Sequence, residues 1–187
     1  METTRLRLRD FCPADIDELH ALHNDPEVMR LLTGGAPVSR AEIEREYHDR
    51  FLAYDYWAVT DRATGAFFGW VGLHASRVGG VTGGVADEPG DTWLGYRLHR
   101  RAWGSGYAVE ASRTIIDAGF REHGVLRVRA TTMAVNTRSR RVMERVGLRY
   151  VRTYHEEWDD PLPGTERGEV EYALTRAEWA SRGNTRS

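Results

Sequence analysis

The segment Arg101–Ala108 constrains the fold more than any other part of this sequence. It contains Gly104 and Gly106, and it lies between an apolar, strand-like run at Trp93–Leu98 and a long helical pattern. Glycines in a strand-to-helix turn allow backbone N–H groups to approach an anion, and the first helical turn adds unpaired donors and its positive dipole end. The segment therefore predicts a cradle for a pyrophosphate group, and with it a nucleotide-type cofactor.

The residues after Gly106 argue against two common nucleotide-binding folds. A P-loop would end in Gly-Lys-Ser/Thr, whereas Tyr107, Ala108 and Val109 follow here, so ATP chemistry is not expected. A dinucleotide fingerprint would need a third Gly or Ala where Val109 stands, an opening strand early in the chain and an acidic partner for the ribose. These requirements are poorly met, and a Rossmann-type or ATP-using protein is the less favoured interpretation.

A second segment, residues 136–148, carries the signals of a complete helix. Asn136 suits an N-cap, because its side chain can accept a hydrogen bond from the first turn. Val142 and Val146 are spaced to share one helix face, and Gly147 suits the left-handed residue that ends a helix. We therefore predict a short helix that begins after Asn136 and ends at Gly147.

The glycine loop and the Asn-capped helix each follow an apolar strand, and in this order they resemble the GNAT superfamily of N-acetyltransferases. With residues 170–179, the chain is similar to the branch of ribosomal-protein alanine N-acetyltransferases. The resemblance implies a single domain over residues 1–187, with a core at about 4–180. It implies an α/β (α+β) fold with a mixed, mostly antiparallel sheet that is splayed at its centre and has helices on both faces.

The resemblance further implies direct transfer of acetyl from acetyl-CoA to a primary amine, of a protein N-terminus or of a small molecule. The acidic stretch 156–160 and the carboxylates of Asp87, Glu88 and Asp91 could attract a cationic acceptor such as an aminoglycoside or a polyamine. The alternative is a non-catalytic acyl-CoA-binding sensor of the same fold.

The resemblance also implies which residues contact the cofactor. Backbone N–H groups near Leu98 and His99 would face the pantetheine amides and the thioester carbonyl, and Asn136 would touch the pantetheine chain besides capping its helix. Arg100, Arg138 and Arg141 are either solvated or neutralise phosphates. The pyrophosphate would be surrounded, mostly through backbone atoms, by Arg101, Trp103, Gly104, Ser105, Gly106, Tyr107 and Ala108.

The candidate acid and bases depart from the pattern of many relatives. Those relatives place a Tyr beside the leaving sulfur, and Met143 stands at that position and cannot donate a proton. Ser139, also counted among the cofactor contacts, is the candidate acid, or it only satisfies the first helical turn. His74 and Glu156 are the candidate bases, with a solvated surface role or a water relay to a distant carboxylate as alternatives.

Composition excludes several classes of protein. With 187 residues, 41% of them hydrophobic, and a net charge of -2, the chain suits one globular domain rather than a nucleic-acid binder. No apolar run suggests a signal peptide or a membrane span, so we expect a cytoplasmic protein without membrane or nucleic-acid partners, as a monomer or homodimer. Cys12 cannot form an internal disulfide and is predicted to be a buried structural residue. His20 and His23 lack further ligands at suitable spacing, so no metal is expected.

Periodicity predicts a mixed order of strands and helices. A capping box at Ser39 and Glu42 should begin a helix that runs to about Leu52. A long hairpin loop is expected over Gly79–Gly90. The remaining predicted elements are a strand at 6–8, a helix at 16–23, hairpin strands at 57–60 and 67–73, a strand–helix–strand crossover at 92–133, strands at 150–158 and 170–174, and a short capped helix from Thr175.

Overall fold

A computed structural model describes residues 1–52, 55–74 and 89–183 of the chain. The described residues form seven strands and six α-helices, with one π-helical turn and two single 3₁₀ turns. The strands are β1 (Leu6–Arg9), β2 (Tyr56–Asp61), β3 (Phe67–His74), β4 (Asp91–Leu98), β5 (Arg127–Met133), β6 (Arg149–Tyr154) and β7 (Glu169–Thr175). The helices are α1 (Asp15–His23), α2 (Pro26–Met29), α3 (Arg40–Glu46), α4 (Tyr107–Glu122), α5 (Thr137–Val146) and α6 (Arg176–Gly183).

The strands are ordered β1-β2-β3-β4-β5-β7-β6 in one mixed sheet. The pairs β1–β2, β2–β3, β5–β7 and β6–β7 are antiparallel, whereas β4 pairs with β5 in parallel over Asp91–Trp93. A parallel pair needs a crossover connection, and α4 provides it. The predicted α/β fold with a mixed, mostly antiparallel sheet is confirmed.

The chain divides into two compact units, residues 1–72 with 95–114 and residues 73–94 with 115–187. The first unit contains β1, β2, α1 to α3, most of β3, the second half of β4 and the first half of α4. Its core is an aromatic cluster whose rings pack edge-on or tilted at centroid distances of 4.7 to 6.5 Å. The rings belong to Phe11, Tyr47, Phe51, Tyr56 and Trp70.

The helix that begins at the capping box differs from its prediction. The box itself is confirmed, since Ser39 Oγ accepts from Glu42 N at 3.3 Å and Glu42 Oε2 accepts from Ser39 N at 2.8 Å. However, α3 ends at Glu46, and a π-helical turn over Tyr47–Phe51 follows in place of more α-helix. Within this wider turn, Tyr47 and Phe51 are each only 3% exposed.

Gly69 allows β3 and β4 to approach each other closely in the first unit. Its φ is +140°, and a Cβ at this position would clash with the carbonyl oxygen of Arg97 and lie 2.8 Å from Leu98 Cα. Only glycine fits such a contact without separating the strands.

The second unit contains β5 to β7, α5, α6 and the remaining parts of β3, β4 and α4. In β7, buried apolar residues do not simply alternate with exposed polar ones. Glu171, which lies between the buried residues Val170 and Tyr172, is itself only 3% exposed. Arg129 Nε donates to Glu171 Oε1 at 2.8 Å, and Arg152 Nε donates to Glu171 Oε2 at 2.9 Å. These charge-assisted bonds make burial of the carboxylate tolerable.

Three further expectations need correction or lie outside the described residues. β6 ends at Tyr154 and does not reach Trp158. Cys12 is exposed, not buried, and its thiol is free. Most of the loop predicted at Gly79–Gly90 falls outside the described residues, as do Asp87 and Glu88. Among the helices that the structure describes, none has the length and apolar character needed to cross a bilayer.

Candidate active site

The glycine loop lies in the first unit, between the 3₁₀ turn Arg100–Ala102 and the start of α4. Gly104 and Gly106 have φ values of +76° and +81°, a conformation that favours glycine. A Cβ on Gly104 would meet nothing within 4 Å, and one on Gly106 would meet only Arg5 Nη2 at 3.6 Å. Packing inside the protein therefore does not require bare backbone here, and the loop faces open space that a ligand can enter.

The amides of this loop and of the first helical turn have no acceptor in the described parts of the chain. The first bond of α4 runs from Glu110 N to Gly106 O at 3.0 Å. Unpaired N–H groups at the positive end of a 16-residue helix are suited to an anion. The amides without a described acceptor are those of Gly104, Ser105, Gly106, Tyr107, Ala108 and Val109.

Arg5, from the segment before β1, braces the loop. Its Nη1 donates to Ser105 O at 2.8 Å, its Nε donates to Glu110 Oε2 at 2.8 Å, and its guanidinium lies 4.6 Å from the ring centre of Tyr107. Burial alone would raise the pKa of Glu110, but hydrogen bonds from Thr3 and Arg5 hold it below its usual value. The bracing role of Arg5 was missed, because nothing local in the sequence marks it.

The residues that lead into the loop are largely engaged within the protein. His99 N donates to Phe68 O at 2.8 Å, so this amide already has an acceptor within the protein, and a contact of His99 with the cofactor stays a prediction. Trp103 Nε1 donates to Leu98 O at 2.8 Å, which fixes the indole against the end of β4. Arg101 Nη2 donates to Phe67 O at 2.6 Å, and its side chain remains 53% exposed. Contacts of Leu98 and Arg101 with a cofactor stay predictions.

The Asn-capped helix lies in the second unit and begins as predicted. Asn136 Oδ1 accepts from Ser139 N at 3.2 Å, and Asn136 Nδ2 donates to Thr132 Oγ1 at 3.0 Å. Gly147 ends the helix with a φ of +101°, which confirms the left-handed cap. Met143 is 2% exposed and packs in the core. The structure thus brings Asn136 and Ser139 together, while their contacts with pantetheine stay predictions.

The two candidate bases occupy separate segments of the second unit. His74 is the last residue of β3 and is 5% exposed. Glu156 is partly buried in the segment after β6, where it lines an open cleft of about 470 Å³. Trp158, Pro161 and Glu166 line the same cleft, so a carboxylate and an aromatic ring are available there to a cation.

The remaining charged candidates have other positions. Arg100 Nε donates to Asp25 Oδ2 at 2.7 Å, and Arg138 and Arg141 are exposed. Within the described ranges, no group of three or more His, Cys, Asp or Glu side chains could hold a metal ion. His23 is buried in a hydrogen-bonded cluster of the first unit.

Sequence comparison places these features in a family. A sequence model described as "Acetyltransferase (GNAT) domain" matches residues 5–149. The FsC-acetyl coenzyme A-N(2)-transacetylase of Aspergillus fumigatus is 32% identical over 189 residues, which cover 96% of this chain and 77% of that protein. Protein YkkB of Bacillus subtilis is 32% identical over 174 residues, which cover 88% of this chain and 93% of that protein.

Solved structures agree on the fold. A spermidine N-acetyltransferase from Vibrio cholerae, solved with CoA and spermine, has a TM-score of 0.76 at 17% identity and covers 95% of this chain and 99% of its own. An aminoglycoside acetyltransferase, AAC(6')-Ib, solved with coenzyme A, has a TM-score of 0.72 at 20% identity and covers 97% and 99%. At such low identity, these two similarities concern the fold alone.

Proposed function

Because this chain belongs to the GNAT family of acetyltransferases and transfers acetyl from acetyl-CoA to an amine, we propose that its glycine loop, Gly104–Ala108, holds the pyrophosphate of acetyl-CoA. The observation that carries this assignment is the run of six consecutive amides, residues 104–109, without an acceptor in the described residues, beside open space at the two glycines. These amides offer hydrogen bonds without the cost of removing them from an internal partner.

Acetyl-CoA supplies an already reactive thioester, so the protein's contribution is mainly to position the two reactants. In our proposal the amide of Leu98 and the side chain of Asn136 hold the pantetheine arm, and Ser139 donates a proton to the leaving sulfur. His74 or Glu156 accepts the proton that the amine releases, directly or through water. His74 is enclosed at a strand end and Glu156 lines an open cleft, so the two would act in different surroundings.

The acceptor is a primary amine, and we propose two classes for it. The resemblance to ribosomal-protein alanine acetyltransferases suggests a protein N-terminus. The names of the relatives, an N(2)-transacetylase, a spermidine acetyltransferase and an aminoglycoside acetyltransferase, suggest a small molecule. We favour the small molecule, because the cleft beside Glu156 and Glu166 offers carboxylates to a cationic amine.

The surroundings of the enzyme follow from the same reasoning. We propose the cytoplasm as its compartment, because a chain with one cysteine, Cys12, has no internal disulfide of the kind that is common in secreted proteins. We propose neither a nucleic-acid nor a membrane partner, and either a monomer or a homodimer.

A thermal melting screen tests the cofactor assignment. CoA and acetyl-CoA should each raise the melting temperature, whereas NAD and Mg-ATP should not. Release of free CoA from acetyl-CoA should then accelerate when a peptide with an N-terminal alanine, spermidine or an aminoglycoside is added. Stabilisation by NAD or Mg-ATP without any by CoA would refute the assignment. Stabilisation without amine-stimulated CoA release would favour the non-catalytic sensor.

A further inference from the structure

Two arginines of the first unit share one buried aromatic ring. The guanidinium of Arg50 lies 5.0 Å from the ring centre of Trp70, and that of Arg97 lies 5.4 Å from the same ring. Arg50 Nη1 donates to Glu46 Oε1 at 2.6 Å, and its Nε donates to Tyr56 Oη at 3.0 Å. Arg50 is therefore neutralised by a carboxylate.

His23 determines what Arg97 can bind. Arg97 Nη1 lies 2.9 Å from His23 Nε2, and His23 Nδ1 lies 3.2 Å from Glu46 Oε2. A guanidinium only donates, so Nε2 must accept and the proton of the ring must sit on Nδ1, pointing to Glu46. Burial lowers the pKa of His23, which agrees with a neutral ring. The two oxygens of Glu46 are thus used by Arg50 and His23.

The cluster consequently carries an unbalanced positive charge. Two guanidinium groups face one carboxylate and a neutral imidazole, and in the described part of the chain no carboxylate lies within ion-pair distance of Arg97. Burial, followed by the charge of Arg50, lowers the pKa of Arg97 to about 10, so the side chain is still protonated at neutral pH. Arg97 is partly exposed, and a guanidinium in such a position is stabilised when an anion pairs with it.

Trp70 provides a second, independent sign of a missing acceptor. The residue is 3% exposed, and its Nε1 has no hydrogen-bond partner among the described residues. Buried indole N–H groups are normally paired. Beyond its one bond to His23, the guanidinium of Arg97 has no acceptor among the described residues, and the indole N–H of Trp70 has none at all.

We propose that Arg97 and Trp70 bind a carboxylate carried by the amine acceptor, so that the substrate is a small molecule of the amino-acid type. A planar guanidinium suits a carboxylate, with which it can form two parallel bonds, and the indole adds a further donor. This inference rests on the proposed function: Arg97 directly precedes Leu98, where the thioester is proposed to lie. A carboxylate held there would keep its own amine close to the acetyl group.

The test compares matched acceptors at saturating acetyl-CoA. The probes are unbranched amino acids of increasing length, each paired with its carboxamide, and the measurement is kcat/KM from CoA release. We expect at least one amino acid to exceed its carboxamide by about tenfold or more. Arg97→Gln should bring that ratio close to one, and Arg97→Lys should retain part of it. Arg7→Gln, which changes an exposed arginine of β1 in the same way, should leave the ratio unaltered.

The other outcomes are equally decisive. The inference is wrong if no amino acid outperforms its carboxamide, if Arg97→Gln keeps the ratio, or if Arg97→Gln removes the stabilisation by acetyl-CoA, since the guanidinium would then serve the cofactor. If Arg97→Gln does not fold, Trp70→Phe keeps the ring packing without the N–H; it should lower the ratio about threefold, and an unaltered ratio overturns the inference. If the enzyme acetylates spermidine or an aminoglycoside but no amino acid, this inference is wrong and the proposed function still holds. If CoA does not stabilise the protein, the proposed function itself is wrong.

Discussion

Alanine at Gly106 separates the binding of the cofactor from the stability of the fold. The residue has a φ of +81°, and an added Cβ would contact only Arg5 Nη2 at 3.6 Å. The left-handed conformation costs an alanine about 1–2 kcal/mol, so the free variant should melt about 2–8 °C below the parent. Its methyl group would project into the open space in which we place the pyrophosphate.

The test is the ligand increment, which is the stabilisation that acetyl-CoA adds to each variant. At a concentration a hundred times its Kd, acetyl-CoA should stabilise the parent by about 2.7 kcal/mol, or about 5–10 °C. If Gly106→Ala weakens binding about a hundredfold, the same concentration adds only about 0.4 kcal/mol, or about 1–2 °C.

Gly65 provides a matched control, because its φ is +77° and a Cβ there would meet nothing within 4 Å. Gly65→Ala should lose similar stability and keep the full ligand increment. A full increment in Gly106→Ala, or its loss in both variants, would refute the reasoning.

Three further changes test other parts of the structure. Ser139→Ala should lower kcat at least about tenfold and leave the acetyl-CoA increment intact, because the cap uses the backbone of Ser139; an unchanged kcat removes the residue from the mechanism. Burial alone would raise the pKa of Glu46, but His23 and Arg50 lower it from 4.5 to about 2. The ionised carboxylate therefore adds about 3 kcal/mol to the free energy of unfolding above pH 4.5, and this contribution disappears as the pH falls through about 2. Urea unfolding should therefore show the advantage of the parent over Glu46→Gln shrinking by about 2 kcal/mol between pH 6 and pH 3, and a constant difference would contradict the assignment. Gly69→Ala should cost about 3 kcal/mol, measured in the same way, because its Cβ has no room beside β4; a loss below about 1 kcal/mol would show that the strands can separate freely.

The features that the sequence predicted well are local ones. A capping box needs two residues three positions apart, and a left-handed turn needs one glycine, so Ser39 and Gly147 could be recognised from their neighbours. The glycine loop belongs to the same class, because its conformation is fixed by Gly104 and Gly106.

The features that escaped prediction depend on distant partners. Arg5 braces a residue 105 positions later in the chain, and the strand pattern of β1 gave no sign of it. Glu171 is buried because Arg129 and Arg152 neutralise it, which no alternation of apolar residues reveals. The exposure of Cys12 contradicts the usual burial of free cysteine. Arg97 did leave a signal, since a charged residue within the apolar run of β4 is uncommon.

The π-helical turn Tyr47–Phe51 has an evolutionary consequence. Such turns amount to one residue inserted into an α-helix, and removing that residue would rotate everything beyond it by about 100°. Glu46, ahead of the turn, would keep its place, whereas Arg50 and Phe51 would swing away from Trp70. Under our proposal for Arg97 and Trp70, a single-codon deletion here would alter the cluster that holds the acceptor's carboxylate while sparing the loop at Gly104, a route to new specificity that needs no gradual series of substitutions.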